Sequence, residues 1–117
     1  MALDVTGDDD QFIDDLHQAI TPNTRAICVS HVTTERGIVL PIERVSAIGR
    51  EYDIVTVVDA AQSFGARELN AHAIGCDVIA FPAFKWELGP YGVGAMYVRR
   101  EIQDQLSPPG SDSGAAE

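Results

Sequence analysis

Lysine is nearly absent: Lys85 is the sole one among 8 basic residues, set against 18 acids for a net charge of -10. That deficit of positive charge argues against nucleic acid and against an anionic membrane surface as partners. No apolar run approaches the roughly 18 residues of a membrane span, and no signal-peptide pattern opens the chain, so the expected location is the cytoplasm. Cysteine is scarce too. Cys28 and Cys76 make no C-x-x-C pair, and the 3 histidines show no zinc spacing, so no metal ligands are assigned. Both cysteines lie in apolar stretches, "RAICVSH" and "GCDVIAF", and are expected to be free, buried thiols. The G-x-G-x-x-G pattern of a nucleotide-binding fold does not follow the first apolar run, which weakens that reading.

What is present fits a single globular unit. The 117 residues are 45% hydrophobic, enough for one core and short for a complete enzyme. Asp4, Asp8, Asp9, Asp10, Asp14 and Asp15 all precede the first base, Arg25, as a solvated face and a helix amino terminus would have them. An acid-rich, lysine-poor surface also suggests adaptation to high salt.

Residues 9 to 20 place Phe12, Ile13, Leu16, Ala19 and Ile20 on one helical face, and "TPNT" breaks that helix. A continuous apolar strand follows from Ala26 to Ser30. "PIERVSAIGREY" reads as a second helix with Pro41 in its first turn and Ile42, Val45, Ile48 and Tyr52 on a stripe. Further strands are expected at Ile54 to Val58, Val78 to Phe81 and Gly94 to Val98, with a short helical turn around Asn70 to Ile74. Apolar strands alternating with helices indicate an α/β fold, a mainly parallel sheet covered on both faces. The link "GPYGV" is too short for a parallel crossover, so the last strand should run antiparallel to its predecessor. Residues 1 to 106 form the folded part, and 107 to 117, "SPPGSDSGAAE", have the composition of a disordered tail.

Ligands of open α/β sheets gather at the carboxyl ends of the parallel strands. His31 to Thr34, then Asp59 and Gln62, then Lys85 follow three such ends. Each has a plainer role open to it: Asp59 as a loop cap, Gln62 as a partner for backbone groups, Lys85 as a cation reaching water along an apolar stem. Together they suggest more. Lys85 lies in "FPAFKWELGP", where Phe84, Trp86 and Leu88 would favour the neutral amine, the form that condenses with an aldehyde. A carboxylate at the neighbouring strand end would hold a pyridine nitrogen protonated. That combination points to pyridoxal 5'-phosphate.

"SHVTTERGIVLPIE", "VVDAAQS" and "FKWELGPYGVGAMYVRRE" resemble the middle of the class V aminotransferase family, which includes the cysteine desulfurases. The likeness runs from about Phe12 to Ile102. It implies a partial three-layer sheet, a fragment of the large domain of a fold type I pyridoxal-phosphate enzyme. It further implies that Asp59 pairs with the pyridine nitrogen and that Gln62 bonds near the phenolic oxygen or the imine. Lys85 would be the covalent anchor and proton shuttle. Intact relatives are expected to be homodimers acting on an amino acid.

Departures accompany the likeness. Desulfurases read S-x-H-K at the lysine, where this chain has Pro82, Ala83 and Phe84 ahead of Lys85. Thr34 stands where many relatives place an asparagine beside the cofactor. Arg67, Arg99 and Arg100 do not match the arginine that grips the substrate carboxylate, and neither cysteine matches the desulfurase nucleophile. Two readings follow. One is a pyridoxal-phosphate enzyme of aminotransferase, epimerase or desulfurase kind, present as an incomplete chain. The other is a non-catalytic remnant or interaction module that keeps the fold without turnover.

Overall fold

The computed structural model describes residues 1 to 107; most of the expected tail, from 108 on, lies outside the described residues. Helix α1, Asp9–Ala19, starts where Asp8 accepts hydrogen bonds from the amides of Asp10 and Gln11 at 3.0 and 3.1 Å. Asp9 and Asp10 fill its first turn, where carboxylates meet the positive end of the helix dipole. The early acids therefore do the local work their position suggested, while Phe12, Ile13 and Leu16 are buried behind them.

Strand β1, Ala26–Ser30, leads to helix α2, Ile42–Glu51, and then to strand β2, Val55–Asp59. Pro41 is the N-cap of α2 rather than a first-turn residue. Ile42, Val45 and Ile48 are buried as the stripe requires, but Tyr52 is exposed, because the helix ends one residue before it. Gly49 takes the inward place instead: a Cβ there would lie 2.2 Å from Thr56 Oγ1, so only glycine lets α2 lie this close on β2.

The short helix α3, Ala71–Ile74, is capped by the Asn70 side chain and closed by Gly75 in the left-handed region, φ 69°. Strands β3, Val78–Pro82, and β4, Gly94–Val98, complete one sheet in the order β1-β2-β3-β4. The first three strands run parallel, and β4 pairs antiparallel to β3, as the short link demanded. A 3₁₀ helix, Arg100–Gln105, follows.

Among the described residues, helices cover the sheet on one face and not on both. Parallel crossovers are right-handed, and β1-β2-β3 advance in one direction, so α2 and α3 fall on the same side. Ile27, Val58 and Ile79 on that side join Phe12, Leu16, Val45, Ile48 and Ile74 in the core. Of the residues facing the other way, Val78 alone is buried; Cys28, Asp59 and Met96 are exposed. Cys28 thus departs from the expected buried thiol, since it sits on the uncovered face of an edge strand. Cys76 is buried as expected.

Candidate functional site

The carboxyl ends of β1, β2 and β3 lie side by side, with Ser30 in register with Asp59 and Asp59 with Ala80. Each strand delivers a loop there. After β1, residues 31 to 40 fold into a small hairpin: Val32 bridges Val39, the Thr33 amide donates to the Ile38 carbonyl at 2.9 Å, and Gly37 closes the turn at φ 64°. This hairpin carries Thr34.

Asp59 is the last residue of β2. Val58 points into the core, so the two-residue period of a strand turns Asp59 to the open face. Its Oδ1 accepts from the Ala61 amide at 2.8 Å, and its other oxygen has no partner among the described residues. Asp59 is therefore both the loop cap that the plainer reading foresaw and a carboxylate with an oxygen free for a ligand.

Gln62 lies in the turn after β2, half-buried beside the buried Ser63. Its Nε2 donates to Thr34 Oγ1 at 3.3 Å, and its Oε1 accepts from Trp86 Nε1 at 3.3 Å. One amide thereby connects the loops after all three parallel strands.

Lys85 is half-buried in the loop between β3 and β4. That loop is held by bonds from the Ala83 amide to the Val93 carbonyl at 2.9 Å and from the Gly89 amide to the Ala83 carbonyl at 2.7 Å. Among the described residues the Lys85 amine makes no hydrogen bond and no ion pair, and Asp59 and Lys85 do not pair with each other. The expected apolar enclosure does not form around the amine. Phe84, Trp86 and Leu88 are 37%, 55% and 89% exposed, because neighbours along a loop splay apart instead of converging.

Trp86 gains an importance that sequence reasoning did not give it, and His31, named there only as the start of the strand-end segment His31 to Thr34, gains a defined setting. Trp86 read only as an apolar neighbour of Lys85, although an indole N–H seeks a hydrogen-bond acceptor and so signals a polar contact. His31, at the end of β1, is buried on the helix side with Nδ1 unpartnered. Burial holds its pKa below the ordinary 6.5, with the nearby Arg67 guanidinium adding to the effect and Glu43 opposing it.

The donor set fits part of a pyridoxal phosphate molecule. A carboxylate with a free oxygen suits a protonated ring nitrogen, and an unpartnered amine suits an aldehyde. Pro82, Ala83 and Phe84 offer no side-chain donor for a phosphate.

Residues 1–116 match the family described as aminotransferase class-V. The chain belongs to that family. It is 36% identical over 93 residues to a probable cysteine desulfurase of Methanothermobacter thermautotrophicus, covering 80% of this chain and 23% of that protein. Identity to isopenicillin N epimerase of Amycolatopsis lactamdurans is also 36%, over 103 residues, 88% of this chain and 26% of the relative. Among solved structures, the apo cysteine desulfurase of Thermococcus onnurineus NA1 aligns with a TM-score of 0.77 at 33% identity, covering 83% of this chain and 24% of that one. The chain thus spans about a quarter of the length of the curated relatives it matches. Enzymes of this class depend on pyridoxal phosphate.

Proposed function

We propose that this chain supplies the strand-end part of a pyridoxal-phosphate site that transforms an amino acid, in the manner of the desulfurase and epimerase branches of its family. The observation that carries this reading is that Asp59, Gln62 and Lys85 follow successive strand ends, with one Asp59 oxygen and the Lys85 amine free of partners among the described residues. When bound, the cofactor supplies an electron sink that stabilises negative charge beside the amino group of the substrate. Asp59 would hold the proton on the ring nitrogen, and Gln62 would orient the ring through its amide. The Lys85 amine would anchor the cofactor and move the substrate proton. Protein context in our reading is a cytoplasmic homodimer, with the acidic surface suited to high salt.

Addition of pyridoxal phosphate to the full chain should produce a visible absorption band. Borohydride reduction and peptide mapping should then place a pyridoxyl group on Lys85, the amino terminus being the one competing amine. Lys85→Ala should abolish that specific label, whereas Asp59→Asn should leave the label while altering the band. A label confined to the amino terminus, or unchanged in Lys85→Ala, would sink this reading. The absence of side-chain phosphate donors at Pro82, Ala83 and Phe84 favours a second reading, a module that keeps the fold without turnover, and that outcome would select it.

A further inference from the structure

We propose that Trp86 is a positioning residue: its indole N–H fixes the orientation of the Gln62 amide and seats the loop that carries Lys85. The clamp stands on geometry alone, while its consequence for Lys85 rests on the function proposed above.

An indole N–H donates and cannot accept. The Gln62 atom 3.3 Å from Trp86 Nε1 must therefore be Oε1, which leaves Nε2 facing Thr34 Oγ1. Thr34 could not make this choice, because a hydroxyl both donates and accepts and would tolerate the amide either way round. Trp86 alone breaks the symmetry. Without it the amide is free to invert, exchanging a donor for an acceptor at the strand ends.

A second observation places the same two loops in contact. Gly65 has φ 80°, and a Cβ there would lie 2.5 Å from Glu87 Oε1 and 3.2 Å from the Trp86 carbonyl carbon. The turn after β2 thus meets the Lys85 loop at Gly65 as well as at Gln62. Leu88 adds a third sign. It adopts φ 54° while 89% exposed, so neither its own backbone preference nor burial holds the loop in this shape. The holding contacts are the bonds from the Leu88 amide to the Lys85 carbonyl at 3.2 Å, from Ala83 to Val93 and from Gly89 to Ala83, together with the seat on Gln62 and Gly65.

Trp86 is the sole tryptophan, so intrinsic fluorescence reports this indole alone. In the full chain without cofactor, Gln62→Leu should raise acrylamide quenching and local mobility of the indole. Gln62→Glu, which keeps an acceptor toward Trp86 and accepts from the Thr34 hydroxyl, should match the parent. Equal quenching in Gln62→Leu and the parent, with unchanged circular dichroism, would overturn the clamp. Should Gln62→Leu lose its circular dichroism, Gln62→Met carries the same comparison. With pyridoxal phosphate below saturation, Trp86→Phe should lower borohydride-fixed label on Lys85 by about threefold to tenfold, the worth of one hydrogen bond. Parent-like labelling in Trp86→Phe overturns the positioning role. If the parent chain itself leaves Lys85 unlabelled, the proposed function falls, and the quenching comparison still decides the clamp.

Discussion

Asp77 and Arg99 are joined twice, once through side chains and once through backbone. Arg99 Nε donates to Asp77 Oδ1 at 2.8 Å, and the Arg99 amide donates to the Asp77 carbonyl at 2.7 Å. Asp77 Oδ2 also accepts from the Thr56 amide at 2.7 Å, so this one carboxylate ties the start of β2 to the strand pair β3 and β4. It does so at the end of the sheet away from Lys85. Asp77→Ala leaves the buried Thr56 amide without its partner, a loss of about 1–3 kcal/mol. Arg99 is 40% exposed, so Arg99→Ala should cost less, within about 1 kcal/mol. Urea midpoints should rank the two in that order, and pyridoxal labelling of the folded fraction should be unchanged in both. A labelling defect at equal stability would show that the two ends of the sheet are coupled.

The thiols should separate cleanly. Burial pushes the Cys76 thiol up to about 11, and its side chain is almost fully enclosed, whereas Cys28 is exposed on the uncovered sheet face. Ellman's reagent at neutral pH should titrate one thiol quickly in the native chain and the second only on unfolding. Peptide mapping should find the fast adduct on Cys28. Two fast thiols would mean that the α3 end of the core opens readily.

His31 gives the fold a pH dependence whose sign is fixed. Its folded-state pKa lies below the ordinary 6.5, so between these values the unfolded chain binds more protons than the folded one. Its contribution is complete above pH 6.5 and is lost as pH falls through the lowered value. The groups facing it are Arg67, which disfavours the imidazolium, and Glu43, which favours it. The His31 amide bonds the Asp59 carbonyl, and its carbonyl takes the Leu40 amide, so this ring sits at the base of the hairpin that carries Thr34. Urea midpoints of the parent should fall on acidification through that window, and those of His31→Leu should fall less. Identical slopes would remove His31 from the account.

Element positions were largely legible because they depend on local patterning. Strands β1 and β4 span the residues their apolar runs indicated, and the antiparallel last strand followed from link length alone. Coverage of the sheet was not legible in the same way. Val55, Val57 and Cys28 are as apolar as Ile27 and Val58, and an apolar strand does not record whether its second face meets a helix of the same chain. The strand-end placement of Asp59 and Lys85 was readable from the run that precedes each. The bond from Trp86 to Gln62 was not, because it joins residues 24 apart through two loops whose meeting depends on the finished sheet.

That uncovered face sets the last expectation. Met96 is 62% exposed on it, Val55, Val57 and Ala80 are half-buried, and β1 and β4 are both edge strands of the sheet. Open strand edges beside apolar surface favour association. The charge of -10 opposes it, since like charges repel across the contact. Salt shifts the balance: the screening length falls from about 10 Å at 0.1 M to about 3 Å at 1 M, which weakens repulsion between chains and within each chain. Raising potassium chloride should therefore increase both the thermal midpoint of the isolated chain and its mean mass in sedimentation equilibrium. Potassium chloride and guanidinium chloride at equal concentration should diverge, since both screen charge and only the second dissolves apolar contacts. A monomeric chain that unfolds cooperatively at low ionic strength, with no change on adding salt, would show that neither the bare face nor the acidic surface governs its behaviour.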